Sequence, residues 1–212
     1  MAMDHLFGEL GPLPPQVLRG VHIYPGMINA AGQRAIVDDI RDVAAQAPFY
    51  SPVTPGGKPL SVRMTSAGQF GWYSDKSGYR YVDRHPSGVP WPAIPASVLD
   101  IWHKVAPNAP DPECCLVNYY AEATKMGLHQ DKDEADFQWP VVSISLGDNA
   151  LFRVGNVAKG GKTQSSWLHS GDVAVLGGPA RLVHHGVDRI KFGSSALLPK
   201  GGRINLTLRV VR

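Results

Sequence analysis

Arg203-Ile204-Asn205-Leu206-Thr207-Leu208-Arg209 alternates polar and apolar side chains without a break. Successive side chains on a strand point to opposite faces. Ile204, Leu206 and Leu208 would therefore share one face, and Arg203, Asn205, Thr207 and Arg209 the other. The apolar face suits core packing. A solvated sheet face is the common reason for a polar one. Two arginines there also suit a pocket that grips a dianion, because a guanidinium is planar, always charged and able to make paired hydrogen bonds to a carboxylate.

Similar runs precede this segment: CLVNYYA (115–121), MGLHQD (126–131), PVVSISLG (140–147), ALFRVG (150–155), SSWLHS (165–170), DVAVLGG (172–178) and ARLVHHG (180–186). Gly, Pro, Asp and Ser separate them. Many short strands with regular turns predict a barrel or jelly-roll sandwich, hence a mainly β core in an α+β chain. Ahead of it, Ile36, Ile40 and Val43 fall at helical spacing among acidic residues and predict an amphipathic helix from about 28 to 47, ended by Pro48. A second helix is predicted over 96–105, with Val98, Leu99, Ile101, Trp102 and Val105 on its apolar side. Residues 1–26 read as irregular, interrupted by Pro12, Pro14, Pro15 and Pro25. Residues 50–92 mix Gly, Ser, aromatic and basic side chains and read as a hairpin arm outside the main core. The expected organisation is one domain: an N-terminal extension and helix (1–49), the arm (50–92), and a helix plus the β core (93–212).

The chain has 212 residues, long enough for a sizeable core, and a net charge of +3, which permits a nucleic-acid partner without arguing for one. Cys114 and Cys115 are adjacent, so a disulfide between them would be strained, and reduced thiols are expected. No apolar segment follows a basic start, and no run is long enough to span a bilayer. A cytoplasmic, membrane-free monomer is the expectation.

His129-Gln130-Asp131 places an imidazole and a carboxylate two residues apart, on one face if the backbone is extended. His184 or His185, far along the chain, could close two imidazoles and one carboxylate around a metal with its other positions open. Non-haem Fe(II) oxygenases use that set. The same residues could equally be ordinary polar groups, Asp131 being part of a charged HQDKDE run. Asn118 and Tyr120 form a further same-face pair able to hydrogen-bond a bound acid.

Together these elements resemble the AlkB family of Fe(II)- and 2-oxoglutarate-dependent dioxygenases, and within it the bacterial proteins that demethylate damaged bases. The resemblance runs from Asn118-x-Tyr120 through Leu128-His129-Gln130-Asp131-Lys132-Asp133-Glu134 and Val142–Gly147. It continues in Gly171-Asp172-Val173, Arg181-Leu182-x-x-His185-Gly186 and Arg203-x-Asn205-Leu206-Thr207-x-Arg209. A weaker match includes Met64-Thr65, Gly71-Trp72 and Gly78-Tyr79-x-Tyr81. It implies a double-stranded β-helix, a jelly-roll variant, with flanking helices and a nucleotide-recognition lid. It implies Fe(II) on His129, Asp131 and His185. Arg203 would pair with the distal carboxylate of 2-oxoglutarate, and Asn118, Tyr120, Asn205 and Arg209 would make other co-substrate contacts. O2 is the second co-substrate.

The implied activity is oxidative demethylation of N-alkylated bases, such as 1-methyladenine and 3-methylcytosine, in single-stranded or duplex DNA. 2-Oxoglutarate would become succinate, and formaldehyde would be released. RNA or tRNA is the alternative substrate, and a catalytically silent nucleic-acid-binding protein the alternative of another class. Trp72 would stack on the extruded base, against His185 or its neighbour, with Tyr79 and Met64 beside it. Asp133 would accept from the exocyclic amine. Lys125, Arg63, Lys76, Arg80 and Arg84 would contact phosphates. One departure is visible. Glu122-Ala123 stands where such relatives carry Pro-Gly, and alanine at that position predicts a turn of different shape.

Overall fold

The computed structural model describes residues 14–212. The expectations for the first residues, including Pro12 and the absence of a secretory segment, lie outside the described residues. Residues 16–24 are not irregular as expected. They form β1 (Gln16–Leu18) and β2 (Val21–Tyr24), paired across an Arg19-Gly20 turn. Val21 and Ile23 are buried, and Pro15 and Pro25 flank this unit rather than interrupt it. The run is too short for alternation to stand out from its prolines.

Helix α1 (Ala30–Gln46) starts where the Asn29 side chain accepts from the Gly32 amide at 2.8 Å, a cap that satisfies one of the free N–H groups of the first turn. Its Ile36, Val37, Ile40 and Val43 are buried. Helix α2 (Ala96–Val105) has the expected bounds and buries Val98, Ile101 and Trp102. No described helix is long and apolar enough to cross a membrane.

The remaining strands are β3 (Arg63–Gly68), β4 (Gly71–Asp75), β5 (Gly78–Val82), β6 (Cys114–Tyr120), β7 (Met126–His129), β8 (Val141–Gly147), β9 (Asn149–Val154), β10 (Gln164–Leu168), β11 (Val173–Leu176), β12 (His185–Lys191) and β13 (Arg203–Arg209). A larger sheet has the order β1-β2-β11-β8-β13-β6-β3, a smaller one β10-β9-β12-β7, and β4-β5 stand as a separate hairpin. The paired strands are antiparallel. This is the mainly β, double-stranded β-helix expected. Two details differ. Within 50–92, β3 is the edge strand of the larger sheet, and only 71–82 forms the separate hairpin. In ARLVHHG only His185 and Gly186 are strand; Gly178–Ala180 form a 3-10 turn just after Gly177.

Alternation sorts the larger sheet into two chemistries. Val142, Ile144, Leu146, Ile204, Leu206 and Leu208 pack against the two helices in one core cluster. Each such fully buried aliphatic side chain contributes about 1.5–3 kcal/mol. On the other face, Arg203, Asn205, Thr207 and Arg209 are buried too, turned toward the smaller sheet rather than to solvent. Elsewhere between the sheets Val141, Ala174 and Leu176 pack on Phe152, Val154 and Leu168.

The turn before β7 holds an alanine in the left-handed backbone region that favours glycine. Thr124 N–H donates to Ala121 O at 3.2 Å, and Ala123 has φ +61. An L-residue with a Cβ in this region is strained by about 1–2 kcal/mol. Ala123→Gly is therefore expected to stabilise the protein by about 1 kcal/mol, after the larger entropy of the unfolded glycine chain is set against the relief. Urea unfolding midpoints check this; a lower midpoint for the variant would show that the turn is unstrained.

Candidate active site

A cavity of about 500 Å³ lies between the two sheets, lined among others by His129, Asp131, His185, Arg203, Asn118 and Trp72. His129 ends β7, and its register partner on β12 is His185. Gly186 permits this close pairing. A Cβ there would sit 2.6 Å from Met126 O and 2.7 Å from Gly127 O. Gln130 and Asp131 lie just beyond β7 rather than on a strand, but the expected alternation survives. The Gln130 amide turns away and donates to Val157 O and Leu182 O.

His129 Nε2 lies 3.7 Å from Asp131 Oδ1, and His185 Nε2 lies 3.7 Å from Asp131 Oδ2. One ligand atom from each of the three residues falls within 4.8 Å of the others. His129 Nδ1 lies 2.9 Å from Gly127 O and His185 Nδ1 3.1 Å from Val183 O. Each Nδ1–H thus has a carbonyl to donate to, which fixes the tautomer and leaves the Nε2 lone pair facing Asp131. Of the adjacent histidines, His184 is the one not in this cluster; its Nδ1 bonds Asn156 O at 3.0 Å.

The electrostatics match a cation site. Burial favours the neutral carboxyl of Asp131, but Arg209, with His185 and His129, outweighs it and holds the group well below the usual carboxylate range. Burial pulls His185 down to about 4 against the attraction of Asp131, so the ring is neutral at pH 7 and free to ligate.

Four further groups point at the same space. Arg203 is 1% exposed; its Nη2 donates to Ser145 Oγ at 2.9 Å, while Nε and Nη1 have no partner. Burial brings its pKa down to about 10, so it stays charged at neutral pH. Tyr120 faces it directly across β6 and β13, and Asn118, two register pairs along on the same face, has an unpartnered buried Oδ1. Asp131 Oδ2 and Arg209 Nε and Nη1 likewise make no hydrogen bond. Buried polar atoms are rarely left unpaired. A carboxylate oxygen beside two imidazoles fits a divalent metal, and orphaned guanidinium nitrogens lining the same cavity fit a dicarboxylate.

Residues 20–209 match the 2OG-Fe(II) oxygenase superfamily. The chain is 54% identical over 200 residues to an alpha-ketoglutarate-dependent dioxygenase AlkB homolog of Caulobacter vibrioides, covering 94% of this chain and 91% of that protein. It is 44% identical over 213 residues to the alpha-ketoglutarate-dependent dioxygenase AlkB of Escherichia coli, covering 98% and 97%. The chain belongs to the AlkB family of Fe(II)- and 2-oxoglutarate-dependent dioxygenases. The solved structure of OsALKBH1 shares the fold at a TM-score of 0.80 and 33% identity, over 92% of this chain and 99% of that one. Fe(II) and 2-oxoglutarate (alpha-ketoglutarate) are thus the metal and co-substrate of this AlkB-family enzyme.

Other expected site residues are placed less simply. Asn205 lines the cavity, but its amide nitrogen donates to Ser143 Oγ and Ile144 O, and its Oδ1 accepts from Thr207 Oγ1. Arg209 is an ion-pair partner of Asp131 at 2.9 Å. Met64 is buried in the cavity wall. Trp72 and Tyr79 stack on one another, with centroids 5.4 Å apart and planes 20° apart, and Trp72 Nε1 donates to Asp133 Oδ2 at 2.8 Å. Lys125 is exposed and lines a smaller cleft beside the main cavity. Arg80 is spent on Asp75, held by two bonds of 2.8 and 2.7 Å, and Arg84 donates to Gly88 O.

Glu134 and Arg181, quoted above among the elements of the resemblance but given no role, are both buried and joined at 2.9 Å. Sequence reasoning also gave no role to Ser143 and Ser145, the anchors of Asn205 and Arg203. The alternation of Ser143 and Ser145 with Val142, Ile144 and Leu146 was the signal for them.

Proposed function

We propose that this enzyme demethylates N-alkylated bases such as 1-methyladenine and 3-methylcytosine in DNA. The observation that carries the reading is the stacked Trp72–Tyr79 platform, tied through Trp72 Nε1 to Asp133, two residues beyond Asp131. An aromatic platform at the mouth of an oxygenase cavity suits a flat ring taken out of its stack.

In this reading His129, Asp131 and His185 hold Fe(II). Arg203 pairs with the distal carboxylate of 2-oxoglutarate, supported by Ser145. Asn118, Tyr120 and Arg209 fix the rest of the co-substrate, with Asn205 bracing the sheet beneath. With 2-oxoglutarate and O2, the iron supplies the two-electron oxidation that turns an N-methyl group into N-hydroxymethyl, which loses formaldehyde. The protein's part is to bind, orient and exclude. Trp72 takes one face of the base. The His129 side chain is 40% exposed against 11% for His185, so His129, rather than His185, is the imidazole suited to the other face. Asp133 keeps one carboxylate oxygen beyond the Trp72 bond for an exocyclic amine. Lys132 and Lys159, which line the cavity, join Lys125 as candidate phosphate contacts.

Incubating the protein with Fe(II), ascorbate and 2-oxoglutarate tests this. Formaldehyde is expected only when a methylated single strand is present, matched by an equal rise of succinate over the amount formed without nucleic acid. Formaldehyde from methylated RNA far in excess of DNA would move the substrate to RNA, and none from any methylated strand would overturn the reading. Trp72→Ala should raise the KM for the methylated strand by about 5- to 150-fold, the range of one lost base stack. Succinate formation without nucleic acid should persist; equal loss of both would make Trp72 a folding residue.

A further inference from the structure

Trp72 and Tyr81 sit directly opposite one another on β4 and β5. Each donates one hydrogen bond to the loop after β7: Trp72 to Asp133, and the Tyr81 hydroxyl to Glu134 Oε1. The two acceptors are consecutive residues, separated from Asp131 by Lys132 alone. The hairpin is therefore fastened at two adjacent points to the segment that carries the carboxylate ligand.

The second fastening continues inward. Glu134 is 6% exposed. Its Oε2 lies 2.9 Å from Arg181 Nη2, and its Oε1 lies 3.3 Å from Arg209 Nε. Arg209 Nη2 in turn lies 2.9 Å from Asp131 Oδ1. Arg181 closes the circuit, donating from Nη1 to the Asp131 backbone carbonyl at 2.7 Å. Hydrogen bonds thus run from hairpin to metal-ligand residue through Tyr81, Glu134 and Arg181, and beside them an ion pair from Glu134 to Arg209, whose Nε makes no hydrogen bond, leads on to the Asp131 carboxylate. Tyr81, Glu134 and Arg181 do not line the cavity, so substrate does not reach them. In this set the charges are paired and buried. A shift of Glu134 would leave a guanidinium unpaired unless Arg209 followed it, and Arg209 carries Asp131.

We propose that Tyr81 and Glu134 are positioning residues that couple the seating of the hairpin to the orientation of Asp131. A nucleotide under Trp72 then changes the metal site through Tyr81, Glu134 and Arg209 rather than by contact alone. The inference rests on the assignment of Asp131 to the metal and of the hairpin to the nucleotide. Its consequence is that occupancy of the lid and binding of 2-oxoglutarate are linked, and that this link can be cut without touching either ligand.

Tyr81→Phe is the clean variant, because it removes one neutral hydroxyl and leaves every charge paired. Co(II) in place of Fe(II) gives a visible spectrum without turnover. Affinity for 2-oxoglutarate is measured on the Co(II) protein with and without a methylated single strand. In wild type the strand is expected to change that affinity by about five-fold or more, with a shift of the Co(II) bands. In Tyr81→Phe the factor should fall toward one and the band shift should vanish, while the strand still binds. Glu134→Gln should lose the coupling likewise, and melting curves report whether each variant is folded. Wild-type coupling in Tyr81→Phe, with or without a lower melting temperature, would reduce Tyr81 to a structural tether and overturn the proposal. So would a wild-type protein without coupling. Failure of wild type to bind Co(II) and 2-oxoglutarate would instead overturn the site assignment itself, and it would show before any strand is added.

Discussion

His129→Ala is expected to abolish turnover while leaving the fold intact. The ring is 40% exposed, and its one hydrogen bond within the protein is from Nδ1 to Gly127 O, so its loss costs little packing. It removes one of three converging ligand groups. Losing an outer partner of a ligand already weakens metal sites about 10- to 100-fold, so losing the ligand itself should exceed about 100-fold. Calorimetric titration with Fe(II) under anaerobic conditions, alongside succinate release, checks this. Turnover near wild type would remove His129 from the metal site. Asp131→Ala should be equally inactive, but for two reasons. It also takes from Arg209 the nearer of its two buried carboxylate partners, Asp131 Oδ1 at 2.9 Å, leaving only Glu134 at 3.3 Å. Breaking such a pair costs about 3–5 kcal/mol, or a melting temperature lower by about 10 °C. The pair of variants thus separates ligation from stability: both lose metal, and Asp131→Ala alone melts early.

Arg203→Ala should lower the affinity for 2-oxoglutarate by about 100-fold while Fe(II) binding alone stays unchanged. A charged hydrogen bond is worth about 1.5–3 kcal/mol, and a buried paired one more. Two of the three guanidinium nitrogens of Arg203 have no partner within the protein, and the third has only Ser145 Oγ. Their unmet demand is for an anion. A ligand present at 100 times its Kd raises stability by about 2.7 kcal/mol. The wild-type melting temperature should therefore climb with 2-oxoglutarate in the presence of Mn(II), and that of Arg203→Ala should not at the same concentration. An undiminished rise would move the co-substrate anchor to another residue.

The legible parts of this protein were those written in short-range pattern. Alternation in 203–209 placed Ile204, Leu206 and Leu208 on the helix side and the arginines on the other, and the structure has them so. The 3.6-residue period located both helices to within two residues. The order of the H-x-D, histidine and R-x-N-x-T-x-R elements indicated the family. The strand Val21–Tyr24 was missed because four residues between prolines carry too little pattern. At Ala123 an alanine holds a left-handed conformation where local preference asks for glycine, which its own few residues do not announce.

Residue order by itself thus determined which side chains share a face and which chemistry they bring: two imidazoles, a carboxylate and two guanidiniums. Tertiary structure alone decided that the polar face of β13 is enclosed rather than solvated, and that Glu134 is a buried keystone between two arginines. The reason is physical. A side chain's direction follows from the backbone period of its own few residues, whereas its dielectric surroundings and partners depend on strands brought beside it from distant parts of the chain.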